Sequence, residues 1–152
     1  MENIAFSRKQ IGGESPMVAS ELFDDCIYTG LFGSIDSARM EAITAKLTNL
    51  VESTNNQFVI IDLSNVDAID TSVALQLVRI ADTMVLVGST PVFCGLKGVI
   101  ARTMVNAGVD LGRHLIVRNL KTATKHCIGN TYVWILSSYD FVVIVNRWSR
   151  YQ

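Results

Sequence analysis

The run from Phe58 to Leu63 constrains this chain more than any other. It is a continuous apolar stretch interrupted by one charge, Asp62. Such a run is typical of a strand covered on both faces. It leads into Ser64-Asn65-Val66-Asp67-Ala68-Ile69-Asp70, which reads as a short acidic loop. Thr71-Ser72 follow, and from Thr71 to Val87 the pattern is helical. Val73, Leu77, Ile80, Ala81, Met84 and Val85 cover one broad side of that helix. A strand that needs cover on both faces, followed at once by an amphipathic helix, points to layers of helix packed on a sheet.

The remaining pattern repeats this plan. Met17 to Phe23 and Cys26 to Phe32 are apolar runs around Asp24-Asp25, a hairpin signal. Gly33-Ser34-Ile35-Asp36-Ser37 precedes a helix that Asp36 or Ser37 can cap. Met40, Ile43, Leu47, Leu50 and Val51 form its apolar stripe, and Ser53-Thr54-Asn55-Asn56 stops it. Gly88 can end the next helix, and Ser89-Thr90-Pro91 leads to the strand Val92-Phe93-Cys94. Gly95-Leu96-Lys97-Gly98 is a second strand-to-helix loop. A helix over roughly Val99 to Ala107 ends at Gly108, a natural left-handed C-cap. Leu115-Ile116-Val117 reads as a short strand, and Asn119 caps a helix over roughly Leu120 to Cys127.

The order is hairpin, helix, strand, helix, strand, helix, strand, helix. That order predicts an α/β fold whose mixed sheet has parallel strands and right-handed crossovers. Switch and ligand positions in such folds lie at the carboxyl ends of parallel strands. Both strand-to-helix loops are therefore expected on one edge of the sheet.

Beyond Cys127 the plan changes. Thr131 to Leu136 and Phe141 to Val145 are β-prone runs around Ser137-Ser138-Tyr139-Asp140. A membrane-spanning helix needs about 20 apolar residues, and this stretch is shorter and broken by Asp140. A hairpin is expected, packed on its own domain or docked on a partner. The chain thus divides into a flexible N-terminal arm (1–15), a domain (16–128) and an apolar C-terminal extension (129–152).

Composition narrows the function. With 152 residues, 49% of them hydrophobic and 18% charged, the chain can bury a sizeable core. Its 13 basic and 14 acidic residues give a net charge of −1. No basic field is available to attract nucleic acid. Cys26, Cys94 and Cys127 are odd in number and far apart, and with His114 and His126 they show no zinc-ligand spacing. Buried free thiols in a cytoplasmic protein are expected. The mixed polar N-terminus is not a signal peptide.

Asp70-Thr71-Ser72 is the candidate site. Hydroxyls at a helix start meet unpaired backbone N–H groups and the positive end of the helix dipole, which favour an added phosphate. A plain helix cap is the competing reading, as a helix-surface threonine is for Thr103. Asp62 and Asp67 could be metal ligands, but no histidine accompanies them, and a turn with a loop-capping group fits better. Cys94 and Ser64 have no assignable base, so no catalytic residue is named. Gly95-Leu96-Lys97-Gly98 is neither a Walker loop nor a dinucleotide fingerprint, so no cofactor is expected.

Several segments resemble the STAS domain, the anti-sigma factor antagonist fold, and within it the stressosome branch of RsbR and RsbS proteins. They are Ile60-Ile61-Asp62-Leu63-Ser64 with Ile69-Asp70-Thr71, then Cys94-Gly95-Leu96-Lys97 with Ile100-Ala101-Arg102-Thr103, then Asn106-Ala107-Gly108-Val109-Asp110. Gly33 through Arg39 is similar to the family's entry to its first helix. The resemblance covers about Pro16 to Cys127, and the tail has no matched counterpart. It implies that Thr71 is the first phosphoacceptor and Thr103 a second, as in RsbR-type domains. RsbS-type proteins normally carry serine at the first position and lack the second threonine; the length of this chain is closer to theirs. The family loop usually continues with Pro-Glu, where this chain has Gly98-Val99.

The implied function is partner switching, in which an anti-sigma factor antagonist or stressosome scaffold component sequesters a serine/threonine kinase of the anti-sigma type and releases it on phosphorylation. The implied partners are that kinase and paralogous STAS proteins in a homo- or hetero-oligomer, with Asp67, Asp70, Ser72, Gly95 and Lys97 on the partner-facing surface. The alternative is a small-molecule-binding or transporter-associated STAS module.

Overall fold

The structure, a computed structural model, describes residues 16–23 and 25–138. The chain runs β1 (Met17–Phe23), β2 (Cys26–Ile35), α1 (Ser37–Thr54), β3 (Phe58–Ile69), α2 (Thr71–Leu86), β4 (Thr90–Cys94), α3 (Gly98–Asn106), β5 (Leu115–Val117) and α4 (Leu120–Ser138). The five strands form one sheet in the order β1-β2-β3-β4-β5. β1 and β2 are the expected antiparallel hairpin, and every other neighbouring pair is parallel.

Alternation along the strands sorts side chains into two cores. Val59, Ile61 and Leu63 of β3, Ile27 and Leu31 of β2 and Phe93 of β4 face the larger one. There they meet Met40, Ile43, Leu47 and Val51 of α1, Val73, Leu77, Ile80 and Met84 of α2, and Ile100 and Met104 of α3. Phe58, Ile60, Val92, Cys26 and Cys94 face the other way, against Ala123 and Cys127 of α4. Helices α1, α2 and α3 thus share one face of the sheet, and α4 covers the other. Each buried Leu, Ile or Phe contributes about 1.5–3 kcal/mol through loss of apolar surface to water.

The caps follow the sequence. Asp36, not Ser37, caps α1: its carboxylate accepts from the Arg39 N–H at 2.9 Å. Asn55 ends α1 in the left-handed region at φ 52°, donating its N–H to the Val51 carbonyl at 2.9 Å. Asn tolerates that conformation better than most residues with a Cβ. The carboxamide oxygen of Asn119 accepts from the Thr122 N–H at 2.9 Å at the start of α4. Gly108 ends α3 at φ 69°.

Two expectations need correction. Ser64 to Ile69 is strand, not loop. β2 also runs on to Ile35, and Phe32, Gly33, Ser34 and Ile35 pair with Asn65, Val66, Ala68 and Ile69. Register shifts between Gly30 and Phe32 and between Gly33 and Ser34, with Gly33 at φ 76°, let the two strands stay paired as they bend. The second correction concerns Thr131 to Leu136. These residues continue α4 to Ser138 and do not form a strand. Extending a formed helix adds a hydrogen bond with each residue fixed, whereas a new strand needs a partner strand first. The second run, Phe141 to Val145, and the arm over 1–15 lie outside the described residues. Among the described residues no helix is long and apolar enough to cross a membrane.

Candidate functional site at the carboxyl edge of the sheet

Parallel pairing brings the carboxyl ends of β2, β3 and β4 to one edge. The N-termini of α1, α2 and α3 follow directly from these ends. Both strand-to-helix segments flagged from the sequence therefore open on the same side, as expected.

Thr71 is the first residue of α2 and is exposed. Asp70 precedes it as the N-cap, and its carboxylate accepts from the Val73 N–H at 2.8 Å. The plain cap reading is thus correct for Asp70, and it leaves Thr71 free of that duty. Ser72 is engaged elsewhere: its hydroxyl lies 2.8 Å from that of Ser37 at the start of α1. Of the two adjacent hydroxyls, only that of Thr71 has no hydrogen-bond partner among the described residues.

Asp67 stands exposed on the extension of β3, with Lys97 Nζ 3.8 Å from its carboxylate. Lys97 occupies the N-cap position of α3 and makes no side-chain cap. An exposed pair of this length contributes little stability, about 0–1 kcal/mol. What it does is place opposite charges from both segments side by side on the edge. Thr103 is half-buried within α3, where its hydroxyl donates to the Val99 carbonyl at 3.1 Å. It is the more restrained of the two candidate threonines.

Beneath this surface lies a buried polar floor that the sequence reading did not assemble. Asp62 is 7% exposed. It accepts from the Tyr28 hydroxyl at 2.9 Å through one oxygen and from the Ser64 N–H at 3.0 Å through the other. Gly30 lies between: a Cβ there would stand 2.7 Å from the Tyr28 hydroxyl, so the missing side chain lets the phenol cross to Asp62. Gly95, at φ 71°, packs against the same carboxylate, and a Cβ on it would meet Asp62 Oδ1 and the Ser64 backbone nitrogen at 2.8 Å. Gly95 is therefore a packing requirement of the edge rather than a free loop residue. Asp62 and Asp67 do separate work, and among the described residues no group of three or more metal-ligating side chains comes together.

The floor perturbs its neighbours. Burial, with the Asp62 carboxylate beside it, pushes the Cys94 thiol up from 9.0 to about 12. The same two causes raise the Tyr28 phenol above its ordinary value. Both groups stay protonated at neutral pH, and neither is poised as a nucleophile or base.

Sequence reasoning named Ser37 only as a possible cap and missed Tyr28, Gly30 and Arg39. Arg39 donates from Nη1 to the Ser34 carbonyl at 2.9 Å, tying the first turn of α1 to the end of β2.

Three comparisons bear on this edge. The STAS domain family matches residues 18–123. The RsbT co-antagonist protein RsbRA of Bacillus subtilis is 34% identical over 110 residues, which is 72% of this chain and 40% of that protein. This chain therefore spans about two fifths of that relative's length. Among solved structures, a substituted form of RsbS from Moorella thermoacetica superposes with a TM-score of 0.65 at 20% identity, covering 79% of this chain and 99% of its own. A chain from a structure of the stressosome, described as a signal integration and transduction hub, gives 0.61 at 20% identity, covering 74% of this chain and 97% of its own. The last two likenesses concern the fold.

Proposed function

Because the chain belongs to the STAS domain family, we propose that it is a partner-switching regulator controlled by phosphorylation at Thr71. It acts as an anti-sigma factor antagonist or a stressosome scaffold component in the cytoplasm. It sequesters a serine/threonine kinase of the anti-sigma type and releases it once modified. The observation that carries this reading is the state of the two adjacent hydroxyls at the start of α2: Ser72 is paired with Ser37, and Thr71 is exposed and unpaired.

The physics of the switch needs no catalysis by this chain. A phosphothreonine adds about −1.5 to −2 charges and three strong acceptor oxygens. At Thr71 these oxygens meet the unpaired N–H groups of the first turn of α2, so the domain tolerates them. Asp67 and Asp70 lie nearby, Asp67 beside Lys97, and the new charge changes the surface potential of the edge sharply. A partner surface fitted to a neutral hydroxyl then loses its match. Asp67, Asp70, Ser72, Gly95 and Lys97 form the surroundings that such a partner reads. Thr103 is a second, modulatory phosphosite. It sits about one turn into α3, where the helix dipole helps less, and its hydroxyl must first leave the Val99 carbonyl. Similarity to a protein described as an RsbT co-antagonist supports a role in antagonising a partner protein.

Incubation with a serine/threonine kinase of the anti-sigma type and ATP, followed by phosphopeptide mapping, tests the proposal. Label on Thr71, with weaker or later label on Thr103, is the expected result. Label confined to other residues overturns the site, and stable kinase binding that survives full Thr71 phosphorylation overturns the switch.

A further inference from the structure

The smaller core holds every cysteine of the chain. Cys26 opens β2, Cys94 closes β4 and Cys127 lies in α4; none of the three is in a disulfide, and all are fully buried. Register separates Cys26 from Cys94. On β3, Cys26 stands opposite Phe58 and Cys94 opposite Asp62, four positions further along. At about 3.3 Å per residue that offset is about 13 Å, well beyond the roughly 7 Å between Cα atoms that a disulfide tolerates. α4 packs over β3, β4 and β5 and reaches Phe58, the residue opposite Cys26. The His126 ring packs edge-on against Phe58 with centroids 6.4 Å apart. The next residue, Cys127, has its thiol in hydrogen-bond contact with that of Cys26.

We propose that Cys26 and Cys127 form a redox modification site, a dithiol that a peroxide-class oxidant converts to a disulfide joining β2 to α4, with Cys94 left outside. The interaction between the two thiols holds Cys127 below its ordinary value and Cys26 above. Cys127 is therefore the more acidic thiol of the two and the nucleophile. Its sulfur attacks one peroxide oxygen, the O–O bond breaks, and hydroxide leaves behind a sulfenic acid. The Cys26 sulfur then attacks the Cys127 sulfur, the S–O bond breaks and water departs. The proton that Cys127 released neutralises the hydroxide. Two thiols are oxidised and one peroxide is reduced to two waters.

Burial sets the rate. The oxidant reaches the pair only when α4 lifts from the sheet, and Ala123 and Cys127 are the fully buried anchors of α4 among the described side chains. Local opening of that kind costs less than global unfolding. The disulfide, once formed, closes this route.

The test treats the full folded chain with hydrogen peroxide, alkylates the remaining thiols after denaturation, and maps peptides without reductant. The expected product is a Cys26–Cys127 cross-linked peptide with alkylated Cys94, a loss of two of the three thiols, and slower amide exchange along α4. Cys94→Ser must still form the bridge. Cys26→Ser must stop at a sulfenic acid that dimedone traps on Cys127; if that variant does not fold, the native chain and Cys94→Ser still decide. A bridge that includes Cys94, cross-links only between molecules, sulfinic acid on Cys127 with Cys26 intact, or three thiols left reduced would each overturn the proposal.

Discussion

The hydroxyl of Ser72 lies 2.8 Å from that of Ser37, joining the first turn of α2 to the first turn of α1. The pair makes Ser72 a structural hydroxyl and leaves its neighbour Thr71 as the available one. Thr71→Ala is expected to abolish kinase-dependent phosphorylation without transfer of label to Ser72. In a Thr71→Ala, Ser37→Ala background, label appears on Ser72. Phosphopeptide mapping reads both results. Asp70→Ala removes the cap and costs about 0.5–2 kcal/mol, whereas Thr71→Ala costs less, by urea denaturation.

Gly95→Ala is expected to be severe. The residue adopts φ 71°, and its Cβ would stand 2.8 Å from both Asp62 Oδ1 and the Ser64 backbone nitrogen. Strain of this type costs about 1–3 kcal/mol before any clash is relieved. Gly88→Ala is the matched control: φ is 89°, but nothing lies within 4 Å of the added carbon. Thermal melts of the two variants should separate them, with Gly95→Ala melting lower.

Tyr28→Phe removes the donor that Asp62 Oδ2 receives at 2.9 Å. A buried carboxylate oxygen left unpaired costs about 1–3 kcal/mol. Chemical denaturation measures the loss, and the Ser64 amide, held by the other oxygen of Asp62, should show a chemical-shift change.

Alkaline pH should destabilise the domain. The folded state holds the Cys94 proton up to about 12, whereas the ordinary thiol value is 9.0. Between those values the folded chain binds more protons than the unfolded chain, so stability falls as pH rises. The contribution is complete below 9.0 and is lost on passing through about 12. Tyr28, also raised by burial and Asp62, acts in the same direction. Melting temperature should therefore decline steadily above pH 9, and Cys94→Ala should decline less steeply.

Much of this architecture was legible because it rests on local periodicity. The apolar stripe of α1, the all-apolar start of β3, the Asn55 and Gly108 stops and the Asn119 cap each announce themselves within a few residues. The STAS motif residues located the edge in the same way. What could not be read is non-local. Ser64, Asn65, Asp67 and Ala68 look like loop, and become strand because Phe32 to Ile35 supply hydrogen-bond partners. Tyr28 and Asp62 are 34 positions apart, as Ser37 and Ser72 are 35 apart. In Thr131 to Leu136 aromatic and β-branched residues suggested a strand, and the propagating α4 overrode that preference. No property of either segment alone reveals such contacts.

The pairing of β3 with β4 stops at Asp62, yet its pairing with β2 runs on to Ile69. In mechanical terms the two strands form a cantilever. Its root is clamped within the full sheet, while its tip delivers the chain to Asp36 and Asp70, the caps of α1 and α2. Val66 and Ile35 seat the underside of this beam in the larger core, with Ile69 packed against it. Its outer side, where Ser64, Asn65, Asp67 and Ala68 are exposed, can be re-shaped by modification, or by mutation over time, without touching that packing.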